Sequence, residues 1–174
     1  MKTPVIAFAN QKGGVGKTTT AVNLSACSAE QGKNVLLIDL DPQANATSAL
    51  GIAKRKRCSV YDPILGNGTL KEKIVKTQVE RLDIIPSELD LAGAEVEIAQ
   101  SGSYLHRFKI ALQPLTVDYT YDYIFLDCPP SLGILTSNAL TAACGLIIPV
   151  QCEYLPMEGL STITSLVQQL RNSV

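Results

Sequence analysis

The chain has 174 residues, five cysteines without a C-x-x-C pair, a single histidine and no excess of either charge. An odd number of unpaired thiols (Cys27, Cys58, Cys128, Cys144 and Cys152) argues against a disulfide framework or a structural zinc site. The expected role is that of small core hydrophobes in a reducing cytoplasm. His106 has no cysteine or carboxylate at ligand spacing, so it reads as a surface or packed residue and not as a catalyst. A net charge of −1 makes the chain as a whole no sink for polyanions, and any such binding has to be local or depend on assembly. Neither a leader-like segment nor an apolar run of membrane-spanning length is present, so no membrane partner is expected.

What is present suits a globular protein: 46% apolar and 18% charged residues over a length that fits one domain, 1–174. Short, β-rich apolar runs fall at residues 5–9, 35–39, 82–86, 123–127 and 146–150. They are continuous rather than alternating, which suits strands covered on both faces. Helical patterns lie between them, at 17–30, 87–100, 103–115, 135–143 and 158–170. Strand and helix in this alternation predict an α/β, doubly wound, mostly parallel sheet, whose ligands bind beyond the carboxyl ends of the strands. The polar residues Asn10-Gln11-Lys12, Asp39 with Asp41, and Asp127 should therefore share one edge. Tyr119, Tyr121 and Tyr123 alternate before the fourth run and are expected to pack as neighbours.

The stretch "NQKGGVGKTTT" (residues 10–20) follows the first strand and opens the first helix. Gly13, Gly14 and Gly16 let backbone N–H groups curl inward around an anion, and the positive end of the helix faces the same point. Lys17 can reach β and γ phosphates, the Thr18 hydroxyl can ligate Mg²⁺, and Thr19 can bond a further phosphate oxygen. The loop departs from G-x-x-x-x-G-K-[ST] in one respect: Gln11 stands where the first glycine belongs, followed by a second lysine, Lys12. Beside Lys17 that residue meets like-charge repulsion unless a strong anion is bound. It is either a solvated lysine or one that reaches phosphates outside its own site.

"KGGVGKTT", Lys12 through Gly13, Gly14, Val15, Gly16, Lys17, Thr18 and Thr19, resembles the deviant Walker A motif of the ParA/MinD superfamily of P-loop ATPases. That resemblance implies a P-loop NTPase fold, ATP and Mg²⁺ as ligands, and an ATP-dependent homodimer in which Lys12 contacts the partner's phosphates. "DLDPQANAT" and "PVQCEYLPMEGL" resemble the partition branch of the family. This implies a ParA/Soj-type switch with a ParB-like activator and nonspecific DNA as partners, in plasmid or chromosome partitioning.

The carboxylates fit this frame. Asp39 and Asp41 stand two apart at a strand end, where a plain strand-to-turn role is the ordinary alternative. By resemblance Asp41 handles the attacking water, and Asp39 lies beside Mg²⁺. Asp127 ends an apolar strand as a Walker B carboxylate does, and Pro129-Pro130 stiffens the loop that follows. "KRKR", residues 54–57, lacks interleaved aromatics and reads as a solvated loop, with contact to DNA phosphates or a partner as the other reading. Family members carry further elements beyond the position of Val174, so the chain reads as C-terminally short, and DNA binding by it is expected to be weak. Three alternatives use the same scaffold: a MinD-like membrane switch, a small-molecule ligase of the dethiobiotin or cobyrinate synthase type, and an iron–sulfur reductase.

Overall fold

The apolar runs pair into one six-stranded sheet in the order β3-β4-β2-β5-β1-β6. A computed structural model describes residues 2–100, 102–118, 120–151 and 157–173. Its strands are β1 (Val5–Phe8), β2 (Val35–Asp39), β3 (Val75–Lys76), β4 (Leu82–Ile85), β5 (Tyr123–Asp127) and β6 (Gly145–Ile147). All neighbours are parallel except the two-residue β3, which runs against β4 at the sheet's edge. Helices α1 (Lys17–Glu30), α2 (Asn45–Ala49), α3 (Tyr61–Ile64), α4 (Leu91–Ala99), α5 (Arg107–Val117), α6 (Ile134–Ala142) and α7 (Met157–Ser173) connect the strands. A 3₁₀ turn at Leu70–Lys73 precedes β3.

Burial on both faces follows from the two-residue period of a strand. In β2, Val35 and Leu37 join Phe8, Phe125, Ile84, Ala21 and Ala29 beneath α1. Leu36 and Ile38 join Ile124, Leu126, Leu91, Phe108, Leu112 and Leu135 on the opposite face. Small residues at Ala21, Ser25 and Ala29 form the buried stripe of α1, so its axis can lie close to the sheet. Phe8 and Phe125 meet edge to face at 5.6 Å beneath it. Truncating a residue as enclosed as Leu37 costs about 2–5 kcal/mol.

Several elements differ from the sequence expectation, each for a local reason. α4 begins at Leu91 instead of residue 87 because the Ser87 N–H and the Glu88 carboxylate are engaged elsewhere: Ser87 N donates to Thr47 Oγ1, and Glu88 accepts from Ser59 Oγ. β6 stops at Ile147, two residues before Pro149, which has no N–H for a ladder. Tyr121 and Tyr123 do not pack together. Tyr121 turns its hydroxyl to Asp83 at 2.7 Å, Tyr123 stacks on Phe125 in the other cluster, and Tyr119 lies outside the described residues. The core-thiol expectation holds for Cys128 alone among the described cysteines. Cys27 and Cys144 are exposed, Cys58 is half-buried, and Cys152 lies outside the described residues.

Candidate functional site

Parallel pairing brings the predicted polar residues to one edge. Asp127 lies in register with Phe8 on one side and Asp39 on the other, so two carboxylates stand side by side on strands about 4.8 Å apart. The loop from Asn10 to α1 crosses above them. Gly14 (φ 74°) and Gly16 (φ 88°) adopt left-handed backbone that a side chain would strain, and Gly16 is the N-cap of α1. No side chain caps that helix, and its first turn holds no acidic residue. Its positive end is therefore uncompensated by the protein and suited to an anion.

Lys17 opens α1 and is buried, with Nζ donating to the Lys12 carbonyl at 3.0 Å. Burial lowers its pKa, while Asp127 and then Asp41 oppose that shift and favour the charged form. Lys12 itself is exposed at the mouth of the loop, as are Gly13, Gly14 and Thr19. Thr18 is half-buried beside Asp127, and Val15 is buried as the loop's apolar anchor.

Asp127 is fully enclosed, yet neither of its oxygens has a hydrogen-bond partner. Burial first pushes its pKa to about 7, and Asp39 and Asp41 add to the rise. The Thr18 hydroxyl, short of full hydrogen-bond geometry, and the Lys17 ammonium pull the other way. An orphaned buried carboxylate beside a threonine hydroxyl suits a hard cation such as Mg²⁺. Among the described residues no three His, Cys, Asp or Glu side chains gather to hold a metal alone, so water and phosphate would complete its shell.

The raised pKa carries a pH prediction. The folded value lies above the unfolded one, so Asp127 costs stability that grows as pH rises from about 4 to about 7 and is present in full above that. Asp127→Asn should therefore stabilise the nucleotide-free protein at pH 8 by on the order of a few kcal/mol and raise its melting temperature, with the gain vanishing near pH 4. Thermal unfolding at four pH values checks it, and a gain independent of pH would show that the carboxylate is not the cause.

Asp39 is buried too, and its pKa is pushed to about 6 by burial, against the bonds that it accepts. Oδ2 accepts from Thr47 N at 2.8 Å and Thr47 Oγ1 at 2.7 Å, and Oδ1 accepts from Asp41 N at 3.1 Å. Asp39 thus braces the turn that carries Asp41. Asp41 in turn accepts from Gln43 N at 2.9 Å, and Ala44 closes the turn in left-handed backbone, φ 56°. A non-glycine residue held there stores roughly 1–3 kcal/mol of strain, which the Asp39–Thr47 contacts maintain.

Two supporting residues, Thr47 and Glu95, escaped the sequence reading, and a third, Asn10, was expected at this edge but without its partners. Asn10 is buried and ties the phosphate loop to the segment after β6: Oδ1 accepts from Lys12 N at 3.0 Å and Nδ2 donates to Pro149 O at 2.8 Å. Thr47 joins Asp39 to Ser87 N, 2.9 Å away. Glu95 reaches from α4 to the Leu135 N–H at 3.2 Å, steadying the start of α6 just after the Asp127 loop. Pro149, Ser87 and Leu135 lie far along the chain from the side chains they meet, and no local pattern marks these contacts.

Comparison with known proteins agrees with this geometry. A family model described as an AAA domain matches residues 3–174. The chain is 54% identical to the sporulation initiation inhibitor protein Soj of Bacillus subtilis, over 94% of this chain and 64% of that protein. It is 44% identical to the chromosome partitioning protein ParA of Caulobacter vibrioides, over 98% and 64%. The chain thus spans less than two thirds of these relatives' length. Among solved structures, cobyrinic acid a,c-diamide synthase from Mycobacterium smegmatis, with bound ADP and magnesium, superposes with a TM-score of 0.91 at 41% identity, covering 98% of this chain and 69% of that one. A putative plasmid partition protein from Borrelia burgdorferi, bound to AMPPNP, superposes at 0.83 with 31% identity, covering 97% and 69%. With its phosphate loop, paired strand-end carboxylates and parallel sheet, the chain belongs to this AAA-domain family of P-loop ATPases and is of the ParA/Soj type.

Proposed function

We propose that the protein is a Mg²⁺-dependent ATPase switch of the partition type, in which ATP closes a homodimer that binds DNA without base reading and a ParB-like partner stimulates hydrolysis. The cargo is a plasmid or a chromosome, and the switch acts in the cytoplasm. One observation carries this reading: a single loop presents two lysines of opposite placement, Lys17 buried against the carboxylate edge and Lys12 exposed at the mouth. A second cation placed at the mouth, where like charge opposes it, supports a role toward phosphates outside its own site.

In this reading the N–H groups of Gly13, Gly14, Val15 and Gly16 and the first turn of α1 cradle the β and γ phosphates, and Thr19 adds a hydroxyl. Lys17 supplies the buried positive charge. Asp127 and Thr18 would hold Mg²⁺, with Asp39 behind them, and the ion would supply positive charge against the phosphates. Asp41 orients or deprotonates the attacking water. Its turn is kept in place by Asp39 and Thr47, so the base is positioned before reaction. Lys12 reaches the partner's phosphates, where charge delivered in trans is worth about 10³–10⁵ in rate in known cases.

Asp41→Ala should bind ATP near normally and still dimerise, but turn over at least about 100-fold more slowly, since general-base contributions are about 10²–10⁴. Steady-state phosphate release checks this. Unchanged turnover, with Asp39→Ala inactive instead, reverses the assignment of the two carboxylates.

The structure from Mycobacterium smegmatis supports a second reading, a small-molecule ligase on the same scaffold. Turnover separates the two. A partition switch hydrolyses ATP with no added acceptor, whereas a ligase waits for its carboxylic acid substrate.

A further inference from the structure

We propose that the basic loop at residues 54–57 is a docking surface for the phosphate backbone of duplex nucleic acid, pre-shaped by the buried carboxylate of Glu88. The inference rests on the partition-switch reading and assigns one of its partners to a surface.

Lys54, Arg55, Lys56 and Arg57 are consecutive and all exposed. In a chain whose net charge is −1 they make the densest run of one sign. Such a run is ordinarily a mobile, solvated tail. Here the backbone is fixed from below. Glu88, 6% exposed, accepts from Arg57 N at 2.8 Å and from Ser59 Oγ at 2.5 Å. Lys73 Nζ donates to the Arg57 carbonyl at 2.7 Å. Arg57 is thereby held in left-handed backbone, φ 58°, which a residue with a side chain keeps only where its surroundings impose it. A buried carboxylate spent on backbone and hydroxyl groups, and not on the cations above it, leaves those cations facing outward.

The opposing charge is small. Lys56 lies 3.9 Å from Asp90, and both are exposed, a pair worth little in water. Lys54 donates to the Gln43 carbonyl at 2.7 Å, and Gln43 N donates to Asp41 Oδ1 at 2.9 Å. The loop therefore stands two hydrogen bonds from the carboxylate assigned to water activation, on the edge where nucleotide would lie. Its flanks, Gly51-Ile52-Ala53 and Cys58, carry no aromatic and form no amphipathic helix, so nothing beside the cations inserts into lipid. A row of lysine and arginine on a fixed backbone suits regularly spaced phosphates, whose affinity comes from counterion release.

The test is binding to two unrelated short DNA duplexes in the presence of ATP, across a salt series. Sizing with ATP on the same preparations keeps the switch reading separate. Arg55→Ala/Lys56→Ala should dimerise as wild type does, and lose roughly two phosphate contacts, flattening the log–log salt slope by about 1.8. Glu88→Gln keeps all four cations and removes one negative charge, so simple electrostatics predicts tighter binding. A pre-shaped loop predicts weaker binding, and that is the expected result. The inference is overturned by wild type that dimerises without binding DNA, by an unchanged slope in the double variant, by tighter binding of Glu88→Gln, or by equal capture on phosphatidylserine vesicles. Wild type that fails to dimerise with ATP, whatever its DNA binding, counts against the switch reading instead.

Discussion

Lys17→Ala is expected to abolish ATP binding measurable by calorimetry. Its ammonium is buried above Asp127 and Asp41, and burial already works against its charge. What keeps that charge favourable is the surrounding carboxylates, and they are also what a triphosphate would otherwise confront. Alanine therefore removes an attraction and exposes a repulsion. Neither Asp127 oxygen has a hydrogen-bond partner, so without Lys17 no cation offsets its charge, and Asp39 is in register beside it. Charge-assisted contacts to phosphate contribute about 1.5–3 kcal/mol each, and several are lost together, so the dissociation constant should rise at least about 100-fold. Melting curves of the variant distinguish lost binding from lost folding. Near wild-type affinity would remove the basis for placing nucleotide at this edge.

How much of this was legible in the sequence divides by distance along the chain. The boundaries of α1, β2 and β5 were readable because their causes are local: a glycine before Lys17, and unbroken apolar runs ending in Asp39 and Asp127. The mostly parallel sheet followed from the same alternation. The phosphate loop was readable because glycines and lysine at fixed spacing leave few other purposes. The support behind the site was not. Asp39 depends on Thr47 eight residues on, Thr47 on Ser87 forty residues on, and Asn10 on Pro149 across 139 residues. Only the tertiary fold creates these pairs, and threonine, asparagine and glutamate are too common to announce them. The same holds for residues 54–57. Their exposure was expected, but the fixing of their backbone by Glu88, far downstream, was not.

Lys12→Ala is expected to bind ATP with nearly wild-type affinity and to remain a monomer. Two parts of residue 12 play different roles. Its backbone belongs to its own site: the N–H is held by Asn10 Oδ1 and the carbonyl accepts from Lys17 Nζ. Alanine keeps both bonds, so the loop and the placement of Lys17 should survive. Its side chain is exposed at the loop's mouth. Removing one cation near Lys17 relieves like-charge repulsion in the free protein, which partly offsets any lost attraction to the nucleotide bound in the same subunit. Dimerisation has no such offset. Two ATP-loaded faces approaching each other bring triphosphate charge together, and without a crossing cation that repulsion is uncompensated. The ATP-dependent dimer should weaken at least about 100-fold, and stimulated hydrolysis should fall by about 10³ or more, as for other charges supplied in trans. Sedimentation velocity with ATP, ADP and no nucleotide reads the first effect, and phosphate release the second. A Lys12→Ala protein that sediments as a dimer with ATP, as wild type is expected to, would mean that the second lysine is only a solvated residue and that Gln11 replaced a glycine for some other reason.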